Sequence, residues 1–197
     1  MADKKDPRLR SYQLMEGIVC GCYPFRYVQE LIDMYGINVF LDLTVAGEHS
    51  HLLAEPLRPY EQLLPPNVTH IRAATANGKA GSQDWLQQTA DLLHHFHDEG
   101  NVVYVHCHAG IGRTGMAIMS YMLKWKKMHW DDARHYIQAA RVVMFDNYTA
   151  IGMNEPVIGF RPSPRKPHQL EALWQFYCNL HPEINTPRVQ AHKELFG

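Results

Sequence analysis

Apolar and polar positions along this chain follow two periods, and the switches between them outline the fold. Residues 18–22 (I-V-C-G-C) are apolar and β-prone, and Tyr23-Pro24 ends them. Residues 27–35 place Val28, Leu31, Ile32 and Tyr35 at helical spacing, with Gly36 as the stop. Residues 37–43 form a continuous apolar run, the pattern of a strand covered on both faces. An irregular stretch with prolines at 56, 59, 65 and 66 leads to a short strand predicted at 68–72. Residues 73–81 are small and glycine-containing and read as a mobile surface loop. Ser82 then caps a helix reaching about His97, with Leu86, Ala90, Leu93 and His97 along one stripe.

Gly100-Asn101 turns the chain into another buried strand at 102–106. Helices are predicted at 114–126 and 130–141, followed by an irregular stretch at 142–165 with several glycines and prolines. A last helix at 167–180 turns Leu170, Leu173, Trp174, Tyr177 and Leu180 inward, and Trp85, Trp125 and Trp174 all sit at helical core spacing. This alternation predicts an α/β fold of three layers, a central largely parallel sheet flanked by helices. The expected organisation is a flexible arm at 1–10, one domain at 11–180 and a C-terminal tail at 181–197.

Composition narrows the class. The 197 residues are 46% hydrophobic, a globular proportion, and fit a single core. Lysine plus arginine number 19 against 20 acids, so the net charge of -1 supplies no basic field for non-specific nucleic-acid binding. No apolar run is long enough to span a bilayer, and the charged N-terminus lacks a secretory signal, so a cytoplasmic location is expected. Four cysteines form no disulfide framework, and the C-x-C pair Cys20 and Cys22 reads as buried strand thiols. His94, His95 and His97 with Asp91 lie on an amphipathic helix that exposes most of them. No metal or other cofactor is expected.

Chemistry concentrates in V-V-Y-V-H-C-H-A-G-I-G-R-T-G, residues 102–115. A buried strand ends at His106, a loop of small residues follows Cys107, and a helix starts near Arg113. The amides of such a loop can converge on one anion, reinforced by the positive end of the helix. The same field favours the thiolate of Cys107, which makes it a nucleophile near neutral pH. Arg113 can bind two phosphate oxygens with its planar fork, and Thr114 can offer a hydroxyl to the sulfur. Gly110 and Gly112 let the backbone bend close to a ligand. These residues together make a nucleophile inside an oxyanion cradle, suited to phosphoryl transfer through a phosphocysteine.

H-C-x-x-G-x-x-R-T-G resembles the signature of the cysteine-dependent protein tyrosine phosphatases, in their dual-specificity branch. The segments M-E-G-I-V-C-G-C-Y-P and L-I-D-M-Y-G-I-N-V-F-L-D-L-T are similar to that branch's opening strand, helix and strand, and R-P-S-P-R-K-P-H-Q-L-E-A-L to its final helix. The resemblance implies Cys107 as nucleophile and Arg113 as phosphate clamp. The cradle amides would come from His108, Ala109, Gly110, Ile111, Gly112 and Arg113. Thr114 would assist the departing thiolate, and His106 would orient the loop and help to keep the cysteine ionised. The implied substrate is a phosphorylated protein or small phosphate ester, with phosphotyrosine favoured over phosphoserine and phosphothreonine.

One departure stands out. The family delivers a proton from an aspartate in a pattern like D-x-G-x-P-S, about thirty residues before the nucleophile. The matching stretch here is A-N-G-K-A-G-S, with Asn77 in the aspartate's place and Gly81 in the proline's. An amide donates no proton at neutral pH. Asp84, the nearest acid, reads as a stabiliser of the next helix's dipole, and Asn77-Gly78 as a tight turn. Three readings stay open: an enzyme acting on good leaving groups, an engineered acid-less form, or a phosphate-binding protein with weak turnover. A phosphoinositide or inositol phosphate is the alternative substrate class.

Overall fold

The structure is a computed structural model; it describes residues 10–49, 56–150, 163–164 and 166–184, with residues 142–150 as helical backbone only. Most of the expected arm at 1–10, the tail from residue 185 and the stretch 151–162 lie outside the described residues.

Five strands form one sheet: β1 (Ser11–Met15), β2 (Ile18–Gly21), β3 (Val39–Asp42), β4 (Thr69–Arg72) and β5 (Val103–His106), in the order β1-β2-β5-β3-β4. Only the β1–β2 hairpin is antiparallel; β2–β5, β5–β3 and β3–β4 are parallel. The largely parallel sheet is therefore as expected, with β1 added at its edge. That strand escaped the sequence reading although Tyr12 and Leu14 are buried on either side of exposed Gln13.

Alternation along the buried strands divides the core. Leu41, Val103 and Val105 face four helices: α2 (Gln83–Asp98), α3 (Gly112–Lys124), α4 (Trp130–Ala150) and α5 (Pro167–Leu180). Phe40 and Tyr104 face the other way, onto α1 (Val28–Tyr35) and Tyr60. Three layers result. Helix α3 is buried on nearly every side, which is why its sequence is apolar nearly all round. Ser82 caps α2 as expected, its hydroxyl accepting from the Trp85 amide at 3.1 Å.

Two expectations need correction. Helix α4 does not stop at Arg141 but runs to Ala150. The glycines and prolines that suggested an irregular stretch begin only at Gly152, so nothing in 142–150 breaks a helix. Trp125 is not a core residue: it is 38% exposed, stacks on His94 with centroids 3.7 Å apart, and donates to Asp91.

Leu41 is fully buried on β3, an interior strand between β5 and β4. Leu41→Ala should lower unfolding free energy by about 2–5 kcal/mol, read from the urea midpoint at unchanged slope. A loss under about 1 kcal/mol would mean that Leu41 does not pack in the core.

Candidate active site

The signature segment leaves β5 at His106, turns through residues 107–111 and enters α3 at Gly112. Its carbonyls are bonded from outside. The His108 carbonyl accepts from the Tyr23 amide at 3.2 Å, that of Gly110 from the Arg141 guanidinium at 3.2 Å, and that of Ile111 from the Ser163 hydroxyl at 2.7 Å. Gly110 has φ 69°, and a Cβ there would lie 2.5 Å from the Gly21 carbonyl carbon and oxygen. Only glycine combines that conformation with so close an approach to β2.

Cys107 sits inside this turn, 3% exposed. Burial alone would push its thiol up. The Arg113 charge, the Thr114 hydroxyl and the amides of Thr114 and Ile111 reverse this and hold it below its usual value. Arg113 is 1% exposed; its Nη1 donates to the carbonyls of Leu43 (3.2 Å) and Thr75 (2.9 Å). Nη1 and Nη2 also form a fork onto Glu48 at 2.6 and 2.7 Å. Glu48 occupies the end of the guanidinium, so the Nε–Nη2 edge is the one left for an anion held beside Cys107.

Behind the nucleophile lies a second, wholly buried polar group. Asp42 Oδ1 accepts from the Thr44 amide (2.8 Å) and hydroxyl (2.7 Å), and Oδ2 accepts from Arg72 Nε (3.3 Å) and Nη2 (3.2 Å). Burial would raise the Asp42 carboxyl, but the neighbouring His106 ring and hydrogen bonds from His70 and Thr44 hold it well below the carboxylate range. At His106 burial dominates and lowers the pKa to about 4, against the pull of Asp42. The ring is uncharged at neutral pH. The Tyr60 hydroxyl is hydrogen-bonded to His106 Nε2 at 2.6 Å, and Nδ1 lies 3.9 Å from Asp42 Oδ1. The uncharged ring adds no positive charge beside Cys107.

Among the described residues, Asp42, Glu61 and His70 bring ligand-type atoms within 4.8 Å of one another. Arg72 lies among them and bonds both carboxylates, so a guanidinium already supplies the positive charge. His95 pairs with Glu99, while His97 bonds the Glu16 carbonyl and the Tyr121 hydroxyl.

The structure thus brings His106, Cys107, Arg113 and Thr114 together with the loop 108–112. It places Asn77 exposed in a turn closed by the Lys79 amide on the Ala76 carbonyl (3.2 Å), and Asp84 exposed in the first turn of α2. Glu48, Asp42, Tyr60, Arg141 and Gln169 were not foreseen. Two carried a signal: Asp42 interrupts an apolar strand, and Arg141 continues the inward spacing of Ala133 and Ile137.

Residues 26–153 match the family described as dual specificity phosphatase, catalytic domain. The chain belongs to that family. Dual specificity protein phosphatase 1 of Mus musculus is 26% identical over 92 residues, 47% of this chain and 24% of that protein. The chain thus spans about a quarter of the length of the curated relatives it matches. Among solved structures, PTPMT1 in complex with PI(5)P superposes with TM-score 0.65 at 14% identity, covering 88% of this chain and 98% of that one. Human DUSP28 follows with TM-score 0.61 at 13% identity, covering 87% and 99%. These likenesses place the fold among the dual-specificity phosphatases.

Two measurements test the electrostatics. Iodoacetate at about pH 6.5 should alkylate Cys107 ahead of Cys20, whose buried thiol is pushed up to about 12, and Arg113→Ala should slow that reaction at least about tenfold. Mass-spectrometric mapping reads both; a Cys107 rate rising only above about pH 8 would refute the lowered thiol. The second concerns His106, which titrates near 6.5 unfolded and near 4 folded. The unfolded chain binds the extra proton between those values, so stability rises with pH across that window and falls as pH drops through it. Between about pH 7.5 and 4.5 the loss should be roughly 2–3 kcal/mol, and largely absent in His106→Asn. Equal acid sensitivity in that variant would assign the loss elsewhere.

Proposed function

We propose that this chain hydrolyses phosphate monoesters through a phosphocysteine intermediate, with aryl esters such as phosphotyrosine as the preferred substrates. The observation that carries this reading is the ionisable Cys107 enclosed by amides whose partner carbonyls are bonded outward. In it, the thiolate attacks phosphorus while the loop amides and the Arg113 edge take up the charge on the equatorial oxygens. Thr114, fully buried beside the sulfur, stabilises the thiolate as it leaves in the second step. Glu48 and Thr75 hold the guanidinium in place, so the clamp is oriented before substrate arrives.

Preference for aryl esters follows from Asn77. Its amide supplies no proton, so a phenol, which departs more readily than an alcohol, is the easier leaving group. A second reading has its own observation: Lys166, at the N-cap of α5, and His168 in its first turn both reach the Gly78 carbonyl, bringing a lysine ammonium and an imidazole to the loop that follows Asn77. An inositol phosphate or phosphoinositide would use them, and PTPMT1, with PI(5)P bound, is a neighbour in fold. No helix among the described residues is long and apolar enough to cross a membrane, so such a lipid would be met at a surface.

Cys107→Ser should reduce turnover at least about 10³-fold on every substrate, because a serine hydroxyl without an adjacent base is not ionised. The same variant should still bind vanadate or phosphate, since the amides and Arg113 remain. Phosphate release should rank aryl above phosphoserine and phosphothreonine peptides in the unaltered protein. Turnover surviving in Cys107→Ser would remove the cysteine from the mechanism. Anion binding with no turnover in the unaltered protein would make it a phosphate-recognition domain, and an inositol phosphate cleaved above all aryl esters would favour the second reading.

A further inference from the structure

Of the three signature-loop carbonyls bonded from outside, one is bonded by a charged group. Arg141 lies on α4 one turn beyond Ile137, which follows Ala133 at the same spacing on the buried face. It is 3% exposed, and its Nη1 donates to the Gly110 carbonyl at 3.2 Å. Its Nε is buried with no hydrogen-bond partner among the described residues. A buried guanidinium with an unmatched N–H is a poor device for stability alone. The group it bonds gives it another use.

The carbonyl of Gly110 and the N–H of Ile111 belong to one planar peptide and point opposite ways. That N–H is hydrogen-bonded to Cys107, where it helps to hold the thiol below its usual value. Gly110 has φ 69° and no side chain, so this plane has little of its own to keep it from turning. We propose that Arg141 is a positioning residue of the cradle: bound to the Gly110 carbonyl, it keeps the Ile111 N–H aimed at the nucleophile and at an anion beside it.

Two effects combine. The bond fixes the direction of the peptide plane, and a cationic donor on the carbonyl polarises that peptide and strengthens its N–H. Arg113 thus meets an anion directly, while Arg141 acts from behind through one peptide group. The titratable and charged groups around Arg141 and Cys107 are Tyr12 of β1, Cys20 of β2, His106 of β5 and Arg113 of α3. Burial keeps Tyr12 and Cys20 protonated near neutral pH and His106 uncharged, so a thiol titration between about pH 5 and about pH 9 reports Cys107.

The test compares the unaltered protein with Arg141→Met, which has no donor, and Arg141→Lys, which keeps a charged one. Alkylation of Cys107 by iodoacetate is followed against pH, vanadate affinity is measured by titration, and urea midpoints establish that each variant is folded. Arg141→Met should slow alkylation at about pH 6.5 and weaken vanadate binding, each by about tenfold or more, and move the alkylation profile to higher pH. Arg141→Lys should recover most of both. A folded Met variant within about threefold of the unaltered protein on both readouts overturns the proposal, since the cradle then holds its amide without Arg141. Equal losses in the Met and Lys variants would assign the effect to packing and overturn it as well. The unaltered protein gives a further check: the Ile111 amide proton resonance should shift with the Cys107 titration and again on vanadate binding, and a resonance unmoved by either overturns the proposal. The link to turnover rests on the phosphatase reading above; nitrophenyl phosphate hydrolysis should fall with vanadate affinity. Thiol and vanadate results as expected, with no Cys107-dependent turnover in the unaltered protein, would sink the phosphatase reading and leave this proposal standing.

Discussion

Everything at the mouth of the site depends on neutralising one buried guanidinium. Arg113 is 1% exposed, and a charge so placed is tolerated only when paired and fully hydrogen-bonded. Its partners come from separate parts of the chain: Leu43 at the end of β3, Thr75 beyond β4, and Glu48 in the turn between those strands. Satisfying Arg113 therefore fixes where the loop after β3 and the loop after β4 sit relative to the signature segment. The same fixed charge lowers the Cys107 thiol. Position and reactivity thus have one cause.

A second constraint comes from the backbone. A loop that converges its amides on an anion must turn its carbonyls away, and buried carbonyls need donors. Tyr23, Arg141 and Ser163 supply them from β2's continuation, α4 and the segment before α5. Arg141 is itself only 3% exposed, so α4 brings a second buried guanidinium to the back of the cradle. The helices around the sheet thus act as more than cover: they set the direction of individual peptide groups. Loss of one such donor would rotate the amide bonded to that carbonyl's own carbon away from the anion, since the two belong to one rigid plane.

Local sequence made part of this legible. The small-residue loop between a buried strand and a helix is written contiguously, so Cys107, Arg113, Thr114 and the turn at 108–112 could be read as a unit. The periods of the strands and helices gave the layers. Contacts closed over distance were not readable: Glu48 lies sixty-five positions from Arg113 and Gln169 ninety from Lys79, and no local pattern links either pair. The end of α4 is hidden for a different reason: residues 142–150 contain no helix breaker, but the glycines and prolines that start at Gly152 follow so closely that the segment reads as irregular. Asp42 was readable in kind. An acid inside a run of buried apolar residues demands a partner, but the identity of that partner required the strand order.

Strand order explains why the partners meet at all. Parallel register sets Gly21, His106, Asp42 and Arg72 in one row across β2, β5, β3 and β4, each the last residue of its strand. In open α/β sheets ligands collect at the carboxyl ends of the strands, where loops diverge from a rigid edge. Here the row itself is differentiated: glycine where the signature loop must press against β2, a neutral imidazole under the nucleophile, then a carboxylate and a guanidinium that balance each other. Burial discharges the imidazole against the pull of the neighbouring Asp42, whose other oxygen accepts from the Arg72 guanidinium. With the ring uncharged, the cation of this row is the Arg72 guanidinium, held against Asp42, and not the imidazole behind Cys107.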